Sequence, residues 1–150
     1  MFGLSANNKQ KKAANRISQV IQRQIHNAVH VDSANASARV VSAFTVGYVY
    51  GLIRQGFTQQ GFQGEDLAEK HFKPVCKKIP GNFYKVMLGQ YEKLDHAMKH
   101  DNEEQVVLYE MGLEAGIHDA ASLTTAQKSE ANNLHNYLLN QSLNINTMPE

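Results

Sequence analysis

A chain of 150 residues is the size of one domain and long enough to bury a core without disulfide or metal staples. Its one cysteine, Cys76, excludes an intrachain disulfide and suits a reducing, cytoplasmic setting, and the opening residues MFGLSANNKQKK hold no apolar run of secretory-signal length. The formal net charge of +1 conceals a divided chain: residues 1–54 carry seven cations against Asp32 alone, a net +6, and residues 55–150 carry eight lysines against thirteen acids, a net −5.

Apolar residues repeat at a helical period in nearly every segment, and no segment alternates as a strand does. The first helix is expected over residues 9–31. Within it Lys12, Arg16, Gln19, Arg23, His26 and His30 recur at steps of four and three residues, which sets them in one line along the helix. Ala13, Ala14, Ile17, Val20, Ile21, Ile25 and Ala28 fall on the other side, and Asp32 and Ser33 offer a cap beyond. The second helix, over residues 35–55, is apolar almost all round and reads as the central element. Its apolar stretch, residues 40–53, is 14 residues long, short of the roughly 20 needed to span a bilayer.

Residues 56–64, GFTQQGFQG, read as a loop that contains Gln-Gly-Phe for the second time, with Phe57 and Phe62 pinning it to the core. A third helix starts near Glu65, with Asp66 and Glu69 at its positive end. Pro74 is expected to kink or split it. Pro80, Gly81 and Asn82 form a turn, after which a fourth helix to residue 99 buries Phe83, Met87, Leu94 and Met98. Asp101 or Asn102 caps a fifth helix that ends near Ala120. Thr124 and Gln127 stand at capping-box spacing before a sixth, whose apolar stripe is Ala131, Leu134 and Leu138. The fold implied is all-α, a compact bundle of five to six helices around the hydrophobic second helix. It forms one domain over residues 1–142 with a flexible tail over 143–150. Short connections set neighbouring helices antiparallel.

Four sets of residues stand out. Lys12, Arg16 and Arg23, with His26 and His30 at the end of the line, present an anion- or partner-binding stripe; nucleic acid and acidic lipid are the anions such a stripe suits. Gly47 and Gly51 in the second helix, and Gly112 and Gly116 in the fifth, form two small-residue strips on which another backbone can rest. Each of these glycines costs about 1 kcal/mol relative to alanine, so the pairs need a packing gain. Glu110, Glu114 and His118 share one face of the fifth helix, and Glu92, His96 and His100 share one face of the fourth. Apolar flanks lead one to expect partly buried carboxylates there, holding a metal or answering Arg39, Arg54 or the basic stripe. The match to bundle metal motifs is poor, because those use Glu-x-x-His. Cys76 lies among Lys73, Lys77 and Lys78, which lower a thiol pKa when they approach it, although a semi-buried structural thiol is the default.

No nucleophile elbow, phosphate loop, dinucleotide fingerprint or nucleic-acid fold signature is present in the sequence. The expectation is therefore a non-enzymatic, cytoplasmic helical protein without a cofactor or membrane span. It acts by binding protein partners, its own copies foremost. An anion-binding first helix and a Glu/His site on helices four and five are the alternatives.

Overall fold

The computed structural model describes residues 2–29, 42–79, 83–100, 103–123 and 131–138, with side chains in the first segment from Asn8 to His26. Among them the chain is helical, with no strand. In order come α1 (Phe2–Val29), α2 (Ala43–Gln59), α3 (Gly64–Lys77), α4 (Phe83–Lys99) and α5 (Glu103–Asp119). A 3₁₀ turn (Ala120–Leu123) and α6, described over 133–138, follow. The caps and turns expected at Asp32 and Ser33, Pro80 to Asn82, Asp101 or Asn102, and Thr124 and Gln127 lie outside the described residues, as does the tail over 143–150.

α2 is the centre of the bundle. Every residue from Ala43 to Val49 is buried, and Leu52, Ile53 and Phe57 extend the core to its far end. Its most extensive partner is α5. The two glycine strips face each other there. A Cβ built on Gly47 would lie 2.1 Å from the carbonyl oxygen of Tyr109, and one on Gly51 2.3 Å from that of Leu113. Reciprocally, a Cβ on Gly112 would lie 2.0 Å from the Phe44 carbonyl oxygen, and one on Gly116 2.2 Å from that of Tyr48. Residue numbers rise together on the two helices, so α2 and α5 run parallel. Only hydrogen at all four positions permits this backbone contact. The strips are thus occupied inside one chain and offer no surface to a second.

The turn after α2 explains the repeated tripeptide. α2 runs through the first Gln-Gly-Phe, so the loop expected from residue 56 begins only at Gln60. Gly56 serves packing: its Cβ would meet Leu123 Cδ1 at 3.1 Å and Ile17 Cδ1 at 3.3 Å. The second Gln-Gly-Phe ends the helix. Gly61 takes φ +85°, its N–H donates to Thr58 O (3.1 Å), and the Phe62 N–H donates to Phe57 O (3.1 Å). This is a Schellman cap, with its apolar contact made by the Phe57 and Phe62 rings, edge-on at 6.0 Å.

Three further expectations are corrected. α1 starts at Phe2 rather than near residue 9, because nothing after Gly3 breaks a cooperative helix. Pro74 does not split α3: it sits on the exposed side within the last turn, and the chain tightens after it through Lys78 N–H to Val75 O and Ile79 N–H to Cys76 O. In α4, Phe83, Met87 and Leu94 are buried as expected, but Ala97 turns inward where Met98 was expected, and Met98 is 46% exposed. The inward stripe of α1 holds: Ala13, Ala14, Ile17 and Ile21 are buried, with Val20 and Ile25 packed against them. Ala131, Leu134 and Leu138 are buried as well. No helix of the described chain is long and apolar enough to cross a membrane.

Candidate functional site

The basic line of α1 divides along its length. Lys12 is exposed. Arg16 donates through Nη1 to the carbonyl of Leu123 at 2.7 Å, and Arg23 through Nη2 to that of Ala131 at 3.0 Å. The two arginines thereby tie the 3₁₀ turn and the start of the C-terminal segment to α1. With Gln19, Val20, Ser122 and Leu123 they line a groove of about 210 Å³. On the neighbouring face Asn15 accepts from Lys78 Nζ, and Gln22 Nε2 donates to Lys78 O at 3.1 Å. His26 is exposed, and His30 lies outside the described residues.

Glu110, Glu114 and His118 line up on α5 as their spacing dictates, but that line faces outward and all three are exposed. The helix buries Gly112, Gly116 and Asp119 instead. Glu92 and His96 are exposed on α4, and the His96 ring meets that of His100, just past the helix, tilted at 36° with ring centres 4.2 Å apart. Among the described residues, no three His, Cys, Asp or Glu side chains converge as a metal site. Arg54 pairs with Glu65 at 3.2 Å rather than with a glutamate of α5, and Arg39 lies outside the described residues. Cys76 is fully buried, and burial pushes its thiol up to about 12, the reverse of what its lysine neighbours in sequence suggest.

Below the end of α5 lies a buried polar network that joins residues far apart in the chain. Gln24 Nε2 donates to Tyr48 Oη (2.8 Å), which donates to Asp119 Oδ2 (2.7 Å). Asp119 also accepts from Asn133 N (3.0 Å) and, through Oδ1, from Asn133 Nδ2 (2.7 Å), while Gln24 Oε1 accepts from His135 N (3.0 Å). Two amides at the start of α6 are therefore capped by side chains from α5 and α1, and the Asp119 carboxylate faces the positive helix end. Burial first, and then the Asp119 charge, push the Tyr48 phenol well above its ordinary value, so it stays a donor. Every polar side chain here has a partner, and the network holds α6 in place.

The open feature is a trough between α2, α3, α4 and α5. Its wider part, about 410 Å³, is lined by Tyr50, Arg54, Glu65, Asp66 and Glu69. It adjoins a narrower part of about 180 Å³ in which Tyr50 and Glu69 are joined by Tyr91, Leu94, Asp95, Met98 and Tyr109. Tyr50 Oη donates to Glu69 Oε1 at 3.1 Å. Phe72 links the tyrosines from beneath, its ring centre 5.6 Å from those of both Tyr50 and Tyr91. Burial, and then Glu69, raise the Tyr50 phenol pKa; burial, and then Tyr91, raise that of Tyr109. The hydroxyls therefore stay protonated, and the lining combines aromatic faces with carboxylates. Such a surface suits cationic groups on aliphatic stems. Nothing local in sequence marks it: Glu65, Asp66 and Glu69 are legible as helix-start acids, and the tyrosines come from three other helices.

Comparison with known proteins found no matching family model, no similar curated protein and no similar solved structure.

Proposed function

We propose that this chain is a non-catalytic helical interaction module that binds polypeptide, its own copies foremost, through the trough between α2, α3, α4 and α5. The trough carries the reading. It sets exposed Tyr91 (39%) and Met98 (46%) beside partly buried tyrosines and a carboxylate rim. Tyrosine and methionine are among the residue types enriched where proteins meet. The divided charge of the chain supports the same reading, since complementary fields speed encounter and fix register. A reducing cytoplasmic setting suits a chain whose cysteine is buried. The test is native mass by light scattering from micromolar to millimolar protein, for the natural chain and for Tyr91→Ala combined with Met98→Ser. The expected result is a mass that rises with concentration and a pair of substitutions that lowers it without loss of helical signal. A chain that is monomeric at every concentration refutes self-association.

A second reading, an α1 that binds nucleic acid or acidic lipid, draws on Lys9, Lys11 and Lys12, all exposed. It predicts retention on anionic vesicles or duplex DNA that falls steeply with salt.

A further inference from the structure

We infer that the trough takes the lysine-bearing turns of α1 from a second copy of the chain, with Lys9 and Lys12 lying against Asp66 and Glu69. This deepens the interaction reading and rests on it. Asp32 is the one acidic residue before Glu65, so α1 carries no negative charge along its whole length. Asn8, Lys9, Lys11 and Lys12 are all exposed, and among the described side chains of α1 the first buried one is Ala13. The turns that hold Lys9 and Lys12 thus stand outside the core as a cationic helix surface. Among the described residues, no side chain of α1 lines the trough of its own chain. Among the described residues neither the two lysines nor Asp66 and Glu69 has an ion-pair partner, whereas Glu65 is paired with Arg54 and Asp95 with Lys99.

The two surfaces match in spacing. Lys9 and Lys12 are three residues apart on one helix, Asp66 and Glu69 three residues apart on another, and such pairs project from about 5–6 Å apart along a helix face. Tyr50 holds Glu69 by its hydroxyl, so one of the two carboxylates is already positioned. The lysine stems then lie on Tyr50 and Tyr91, whose rings attract the ammonium groups and cover the methylenes. Each chain carries one lysine surface and one trough. Two copies therefore satisfy both at once in a two-fold pair.

The experiment uses two charge-reversed full chains, Lys9→Glu with Lys12→Glu and Asp66→Lys with Glu69→Lys. All four side chains are exposed, and circular dichroism checks that both variants stay folded. Association of the natural chain and of each variant is measured by sedimentation at low and high salt, followed by a mixture of the two variants. The natural chain is expected to associate and to weaken at high salt. Each variant alone is expected to lose association by about tenfold or more, and the mixture to regain it. If the natural chain associates and both reversals leave it unchanged, the docking mode is overturned and self-association stands. If the natural chain stays monomeric while its trough retains an oligolysine peptide, the second copy is overturned as occupant in favour of a foreign basic segment. If it stays monomeric and retains no peptide, both readings fall.

Discussion

Replacing Gly112 by alanine tests the central contact of the fold. The new Cβ would stand 2.0 Å from the Phe44 carbonyl oxygen, where ordinary contact begins at 3.4 Å, so the helices must part there by about 1.4 Å. The obstacle is backbone, not a side chain that can rotate away. Gly116, Gly47 and Gly51 form the same contact, so one displaced position loosens all four. Overpacking of a core costs about 1–3 kcal/mol, and this geometry belongs at the upper end. Alanine returns about 1 kcal/mol of helix propensity. The net loss is about 2 kcal/mol, or roughly 4–8 °C in Tm for a chain of this size. Gly89→Ala is the internal control: it lies within α4 and its Cβ would meet nothing within 4 Å, so the same substitution should stabilise by about 0.5–1 kcal/mol. Urea denaturation followed by circular dichroism gives both values. If Gly112→Ala proves as stable as Gly89→Ala, α2 and α5 are not in backbone contact and the arrangement of the core is wrong.

Asp119→Ala leaves the Tyr48 hydroxyl and the start of α6 without their acceptor, and a loss of about 3 kcal/mol is expected by the same denaturation assay, against about 1 kcal/mol for Tyr48→Phe. His71, stacked on Phe57 with ring centres 5.0 Å apart, has a pKa lowered first by burial and then by Lys70 and Lys78, and its Nε2 is buried without a partner. The unfolded chain therefore binds this proton more readily than the fold does. The contribution of His71 is fully present above about pH 6.5 and falls away as pH drops toward the lowered value. Stability measured at pH 7.5 and again at about pH 5.5 should differ less in His71→Phe than in the natural chain. Cys76, with its thiol at about 12 and no exposed surface, should resist a thiol reagent at pH 8 in the folded chain and react promptly in urea; prompt labelling of the folded chain would contradict the burial.

What was legible in the sequence is what depends on local period. α2 reads as central because its residues are apolar all round. The glycine pairs read as close-approach strips because four costly residues at helical spacing need a return. Ala131, Leu134 and Leu138 read as a buried face for the same reason. α5 shows the limit. Its glycine line and its Glu110, Glu114 and His118 line are two residues out of step, about 160° apart around the helix. Only one of them can face the core, and backbone contact on α2 settles which. Gln-Gly-Phe occurs twice with one sequence and two structures: Gly56 packs beside Ile17 and Leu123 within α2, whereas Gly61 takes the positive φ that ends the helix. The trough and the Asp119 network are each assembled across four helices, so no window of sequence contains them. The stripe of α1 is visible as a line of charge. That its arginines would reach the carbonyls of Leu123 and Ala131, more than a hundred residues away, is a property of the packing.

The capping of α6 has a consequence for the order in which the chain is built. The first amides of a helix have no acceptor within it, so the start of α6 depends on groups supplied from elsewhere. Its first amides are held by Gln24 from α1 and by Asp119 from α5, and its neighbouring segment by Arg23. None of these acceptors and donors is in place until α1, α2 and α5 have come together. The start of α6 is therefore expected to close only after the rest of the bundle is assembled, and amide exchange at residues 133 and 135, compared with that of α2, measures whether it opens first.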